Sequence, residues 1–164
     1  SMGWGSVIGC DSMRPMDAAA AMAMVTARTE PNHAIMGFSD TLVDVPINKD
    51  MTLAQVISTM QRIPMGGTDC ALPMVHAAEK KKDFDVFIVY TDNETWFGNV
   101  HPAEALRNYR KAAGIWNAKV IVCAFASNKF TIADPEDPGM LDMAGFDSAG
   151  PEVIRNFSLG LLLI

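Results

Sequence analysis

Apolar and polar positions along this chain keep two different rhythms. Asp17 to Arg28 is rich in Ala and Met, with Asp17 near its start, which predicts a helix. Its apolar character all round suggests burial. Ala34-Ile35-Met36-Gly37-Phe38-Ser39 reads as a strand closed by Ser39-Asp40. Leu42 to Ile47 alternates well enough for a second short strand, which Pro46 places at an edge. Thr52-Leu53-Ala54-Gln55 is a capping-box sequence, and Leu53, Val56, Ile57 and Met60 then fall on one helical face. Pro64 and Gly66-Gly67 end that helix, and another is expected from about Asp69 to Lys81, with Pro73 tolerated in its first turn.

The continuous apolar run from Asp85 to Asp92 suits a strand covered on both faces. Pro102 opens a helix whose inner face is Ala105, Leu106, Tyr109 and Ala113, and Lys119 to Phe125 is a second continuous apolar strand. Ala133 to Gly139 is a Pro- and Asp-rich loop, and Pro151 begins a last helix with Val153, Ile154 and Phe157 inward. Strands alternating with helices predict an α/β fold: a three-layer sandwich around a mainly parallel, doubly wound sheet. No boundary or repeat divides the chain, so residues 1–164 are expected to form a single domain.

The formal net charge of −6 argues against this piece alone gripping a nucleic-acid backbone, which needs clustered Lys and Arg. The densest basic run, Lys80-Lys81-Lys82, suits a solvated helix end better than a phosphate contact. Cys10, Cys70 and Cys123 show no zinc spacing and fit a reducing compartment, with Cys123 in the core. The methionines fall mostly on apolar helix faces and read as core filler. No apolar stretch approaches the ~20 residues of a spanning helix, so no membrane contact is expected.

Candidate chemistry concentrates at two loop tips. Asp92 closes a strand, and the carboxyl ends of parallel strands are where ligands bind. Thr68 follows Gly66-Gly67, whose lack of side chains lets backbone approach an ion or ligand. A hydroxyl and a carboxylate from two strand-to-helix loops suit a hard divalent cation. Each also has a plainer use: Asp92 as a cap of the following loop, Thr68 or Asp69 as the N-cap of the next helix. Gly3-Trp4-Gly5-Ser6-Val7-Ile8-Gly9 has the wrong spacing for a dinucleotide loop and no strand before it. His33, His76 and His101 lack metal-ligand spacing; His101 is expected beside a helix start. Cys70 with His76 would be the one nucleophile–base pair to consider, but nothing visibly activates either, and no catalysis is expected.

Taken together, the segments resemble the von Willebrand factor A domain and, more narrowly, the C-terminal domain of the Ro ribonucleoprotein autoantigen family. The matching stretches include Phe38-Ser39-Asp40, Ile63-Pro64, Gly66-Gly67-Thr68-Asp69-Cys70-Ala71-Leu72-Pro73-Met74 and Val86 to Thr95. Others are Val100-His101-Pro102, Phe130 to Pro135, Gly139 to Met143 and Val153 to Phe157, so the resemblance covers nearly the whole chain. It implies a metal-ion-dependent adhesion site built from Asp-x-Ser-x-Ser at the end of the first strand, a loop Thr and a strand-end Asp. Here Thr68 and Asp92 match the latter two, and Ser1 matches the last Ser of the first motif. The first strand and the Asp-x-Ser have no counterpart. In such a fold that strand is central, so backbone groups on both sides would lack a partner. The missing strand would lie on another chain or have been removed, or the apolar end Leu159-Gly160-Leu161-Leu162-Leu163-Ile164 would fill the gap; the preferred reading of that end is an extension of the last helix.

The resemblance also implies a function. A non-enzymatic domain of a Ro-like RNA-binding protein would hold a divalent cation, Mg²⁺ or Mn²⁺, and meet a protein partner or an RNA end. Its parent would bind small non-coding Y RNAs and misfolded RNAs in quality control, in the cytoplasm and also the nucleus. The alternative is a structural module that braces a helical-repeat RNA-binding ring with no occupied metal site.

Overall fold

A computed structural model describes residues 2, 6–38, 40–64, 67–92, 98–126 and 132–161. Ser1, Ser39, Gly66, Asn93 to Thr95, Phe130, Thr131 and Leu162 to Ile164 lie outside the described residues, and with them the metal role expected of Ser1.

The chain runs α1 (Pro15–Thr29), β1 (Met36–Phe38), β2 (Leu42–Asp44), α2 (Leu53–Met60), α3 (Leu72–Glu79), β3 (Val86–Thr91), α4 (Pro102–Ala113), β4 (Lys119–Ala124), β5 (Met140–Ala144) and α5 (Gly150–Ser158). Local chemistry sets the helix ends. Arg14 and Asp17 clamp the start of α1 through a two-pronged ion pair, with Pro15 in its first turn. At α2 the Thr52 hydroxyl accepts from the Gln55 amide at 3.3 Å, and the Gln55 side chain accepts from the Thr52 amide at 2.8 Å. Gly114, at φ 71°, closes α4, a left-handed position where a side chain is strained. Helix α5 stops in the same way: Gly160 sits at φ 72°, and the Leu161 amide reaches back to the Asn156 carbonyl at 2.8 Å. The last helix is therefore not extended past Ser158, and Leu161 is 70% exposed.

β3, β4 and β5 form a parallel sheet with β4 central, whereas β1 and β2 form a separate antiparallel pair. Helices α3 and α4 cover one face of the parallel sheet through Met74, Ala77, Leu106 and Tyr109 against Phe87, Val89, Val120 and Val122. Helices α1 and α5 cover the other through Ala18, Ala19, Met22, Ile154 and Phe157 against Ile121 and Cys123. This is the three-layer α/β arrangement. A third cluster joins α1 to Val56 of α2 and to Val45 and Ile47.

Four local expectations are corrected. Helix α3 begins at Leu72, because Asp69 turns back to accept from the Ala71 amide at 3.0 Å and holds the chain out of the helix. Leu53 is 41% exposed, since α2 docks on α1 mainly through Val56. β5 escapes the residue pattern because Asp142 interrupts its apolar run. β3 is not covered on both faces along its length: Phe87, Val89 and Thr91 are buried, while Val86, Ile88 and Tyr90 are half-buried.

Candidate functional site

The half-covered side of β3 has a cause. Between β3 and the β1–β2 pair lies a cleft of about 1190 Å³, larger than the ~300–1,000 Å³ of an ordinary ligand pocket. Its walls are largely apolar: Ala19, Met22 and Ala23 of α1, Ile154 of α5, and Pro73 and Ala77 of α3. Among the described residues, no strand pairs with the edge of β3 away from β4.

Thr68 and Asp92 both line this cleft. Thr68 lies in the loop before α3, half-buried, and does not cap that helix; the N-cap position is Ala71, with no side-chain cap. Asp92 follows the last residue of β3 and is 8% exposed. The Thr91 hydroxyl donates to Asp92 Oδ1 at 3.4 Å, and the Asp92 carbonyl accepts from the Ala126 amide at 2.7 Å. That second bond ties the strand end to the residues after β4 and fixes where the carboxylate stands.

Further acids surround the same end of the sheet. Cys70, fully buried, has its thiol pushed up to about 12, first by burial and then by the charges of Asp69, Asp92 and Asp142. Asp92 therefore neighbours the Thr68–Cys70 loop electrostatically. Asp69 packs against Gly98, where a Cβ would come within 2.6 Å of its carboxylate; Gly98, at φ 130°, also has a backbone that favours glycine. Asp142 accepts from the amides of Ile132 and Ala133 at 3.1 and 3.0 Å. Burial still raises its carboxyl above the ordinary range, against the pull of those amides and of His101. His101 caps α4, its Nδ1 accepting from the Ala103 amide at 3.1 Å, as its place beside a helix start predicts.

The chemistry of this rim is that of oxygen donors. One hydroxyl and one carboxylate fit part of the shell of a hard cation such as Mg²⁺, which keeps several waters and takes one or two carboxylates. Among the described residues, no group of three His, Cys, Asp or Glu side chains could hold a metal ion. Cys70 at this pKa is a protonated thiol rather than a nucleophile. Asp69 and Asp142 belong to the electrostatics of the rim although residue pattern alone gives neither a ligand role. The signal for Asp142 is a lone acid inside Met140-Leu141-Asp142-Met143.

Comparison with known proteins adds to this geometry. Residues 1–158 match the family model described as the Ro60 vWA domain. The chain is 45% identical over 144 residues to the RNA-binding protein RO60 of Caenorhabditis elegans, covering 88% of this chain and 22% of that protein. It is 43% identical over 160 residues to the RNA-binding protein RO60 of Deinococcus radiodurans, covering 98% of this chain and 30% of that protein. The crystal structure of the Deinococcus radiodurans RO (RSR) protein superposes with a TM-score of 0.91 at 42% identity, over 99% of this chain and 32% of that one. The chain thus spans less than a third of the length of these relatives.

Proposed function

From the chain's membership of the Ro60 von Willebrand factor A domain family, we propose that it is a non-enzymatic, partner-binding module in which Thr68 and Asp92, with Ser1, hold a divalent cation, Mg²⁺ or Mn²⁺. The observation that carries this reading is that two oxygen donors line one cleft, a loop hydroxyl and a strand-end carboxylate that is 8% exposed. A bound cation would offer an open coordination position to an acid or phosphate. Thr68 and Asp92 would orient it, and the buried Cys70 beneath would keep the site dry on one side. The partner is a protein acid or an RNA end.

The two relatives are named RNA-binding proteins. For this chain we infer the same association, with small non-coding RNAs of the Y type and misfolded RNAs held by parts of a parent protein beyond residues 1–164. The net charge of −6 supports that division of labour. The work is quality control, in the cytoplasm and also the nucleus.

Calorimetric titration with MgCl₂ and MnCl₂ tests the cation. Wild type is expected to bind, and Asp92→Ala to lose the response. An identical response from the two proteins overturns the cation reading. A second reading is then favoured by the absence, among the described residues, of any three-ligand group: a structural brace with no metal.

A further inference from the structure

The end of the sheet away from Asp92 holds a second pocket, of about 640 Å³, within the size range of ordinary ligand sites. It lies where β4 starts, at Lys119, and where the chain turns into β5, at Pro138 and Gly139. β3, β4 and β5 run parallel, so this rim and the one that carries Asp92 are opposite. Trp116, in the turn between α4 and β4, lines the pocket and is 70% exposed. Tryptophan is large and highly buried on average, so an indole left in water calls for a reason.

The turn that carries Trp116 is held rigidly. The Ala118 amide donates to the Ile115 carbonyl at 3.1 Å, Ala118 is fully buried, and Ile115 packs against the core that α4 covers. Arg110 braces the turn: its Nε donates to the Ala118 carbonyl at 2.9 Å, and its other two nitrogens donate to the two oxygens of Asp137 at 2.6 and 3.1 Å. A side chain at Gly139 would run into that guanidinium. The indole thus stands on a fixed base and loses little freedom when a ligand meets it.

Charge in the pocket is balanced, unlike that of the whole chain. Arg107 pairs with Asp134 and Arg110 with Asp137, which leaves Lys119 and Glu136 among the lining residues. Lys119 is half-buried and, among the described residues, has no acid within ion-pair distance; Glu136 is exposed. An aromatic platform, the neighbouring amide of Asn117 and a half-buried ammonium are complementary to a base, its polar edge and a phosphate. We propose that this pocket binds one nucleotide, its base stacked on Trp116 and its phosphate on Lys119, either free or as an unpaired unit of a strand. A cationic side chain from a basic protein would also stack on Trp116, but Arg107 and Lys119 disfavour it. One phosphate contact gives a shallow salt dependence, so the site recognises a base without gripping a long backbone, which the net charge of −6 opposes. The proposal stands apart from the cation reading, since none of its residues is a proposed metal ligand.

Titration of the whole chain with AMP and UMP in the presence of EDTA tests it, read on the indole N–H resonance of Trp116, which is assigned by its loss in Trp116→Phe. Both nucleotides are expected to shift that resonance saturably. Ribose 5-phosphate, which lacks the base, is expected to bind about tenfold more weakly or worse. Lys119→Gln is expected to weaken AMP binding several-fold and to leave adenosine binding unchanged, and the adenosine titration shows that the variant is folded. A tetranucleotide of uridine that binds tighter than UMP assigns the site to a strand, and one that binds no tighter assigns it to the free nucleotide. The proposal is overturned by the absence of a saturable shift with either nucleotide, by an equal response to ribose 5-phosphate, or by an AMP affinity that Lys119→Gln leaves unchanged. A response to N-acetylarginine amide with none to the nucleotides overturns it in favour of a basic protein segment.

Discussion

β3 and β4 are written in nearly the same alphabet, Val-Phe-Ile-Val-Tyr-Thr against Lys-Val-Ile-Val-Cys-Ala, and they lie side by side in register. Their environments differ. β4 is buried continuously from Val120 to Ala124, whereas β3 alternates between buried and half-buried positions. Composition thus gives two strands an equal capacity for burial, and neighbours decide whether it is used. Among the described residues, β4 has a strand on each side, whereas β3 has one on a single side and a cleft on the other.

The largest test of that contrast is the same truncation at paired positions. Ile121 of β4 is fully buried and Ile88 of β3 is half-buried. Ile121→Ala is expected to cost about 3–4 kcal/mol and Ile88→Ala about 1 kcal/mol, read as shifts in the urea unfolding midpoint. Equal losses would mean that the cleft wall is packed as tightly as the core.

The two tyrosines sharpen the contrast on a smaller scale. Tyr109, beneath the closed face, accepts from the Phe84 amide at 2.6 Å and lies 2.9 Å from the Lys82 carbonyl, to which it donates. Tyr90, on the cleft side, has a buried hydroxyl with no hydrogen-bond partner within bonding distance among the described residues. Tyr109→Phe is expected to destabilise by about 1–2 kcal/mol, while Tyr90→Phe is neutral or stabilises by up to about 1 kcal/mol. A comparable loss from both substitutions would place a partner on Tyr90.

The smallest effects are in pH dependence, and two acids, Asp137 before β5 and Asp142 within it, are expected to respond with opposite sign. Before β5, Arg110 donates to both oxygens of Asp137 and to the Ala118 carbonyl, and that hydrogen-bonded guanidinium holds the Asp137 carboxyl below its usual range. Its contribution is complete above the ordinary carboxylate pKa of about 4 and is lost as pH falls through the depressed value. Asp142 is raised by burial, so its charge costs stability at neutral pH, and the cost is relieved as pH falls through the raised value. In thermal melts, Asp137→Asn is expected to lower the midpoint at neutral pH and to flatten its decline in acid. Asp142→Asn, which can still accept the two amides, is expected to raise it slightly at neutral pH, with the gain fading in acid. Parallel pH profiles for the two variants would show that the two acids do not differ in this way.

Much of this was legible in the residues. The capping box at Thr52, the inner face of α4 and the strand pair β3 and β4 follow from local rules that tertiary structure leaves standing. β5 did not, because its Asp142 looks like a loop residue until two amides from another segment are seen to hold it. The shortened α3 was hidden because Asp69 reads as a helix start, and only its bond to Ala71 shows it ending a turn instead. At the rim, Thr68 and Asp92 stand out as polar residues closing apolar or Gly-rich stretches, while the influence of Asp69 and Asp142 on Cys70 becomes apparent only with folding.

By itself the sequence determined which segments become helices and strands, because propensity, capping and apolar period act over a few residues. Only the tertiary structure decided that, among the described residues, the strands divide into a pair and a trio with a cleft between them. The reason is physical: a strand's hydrogen bonds are made with other strands, so its side-chain pattern can declare that it will be buried without declaring beside what.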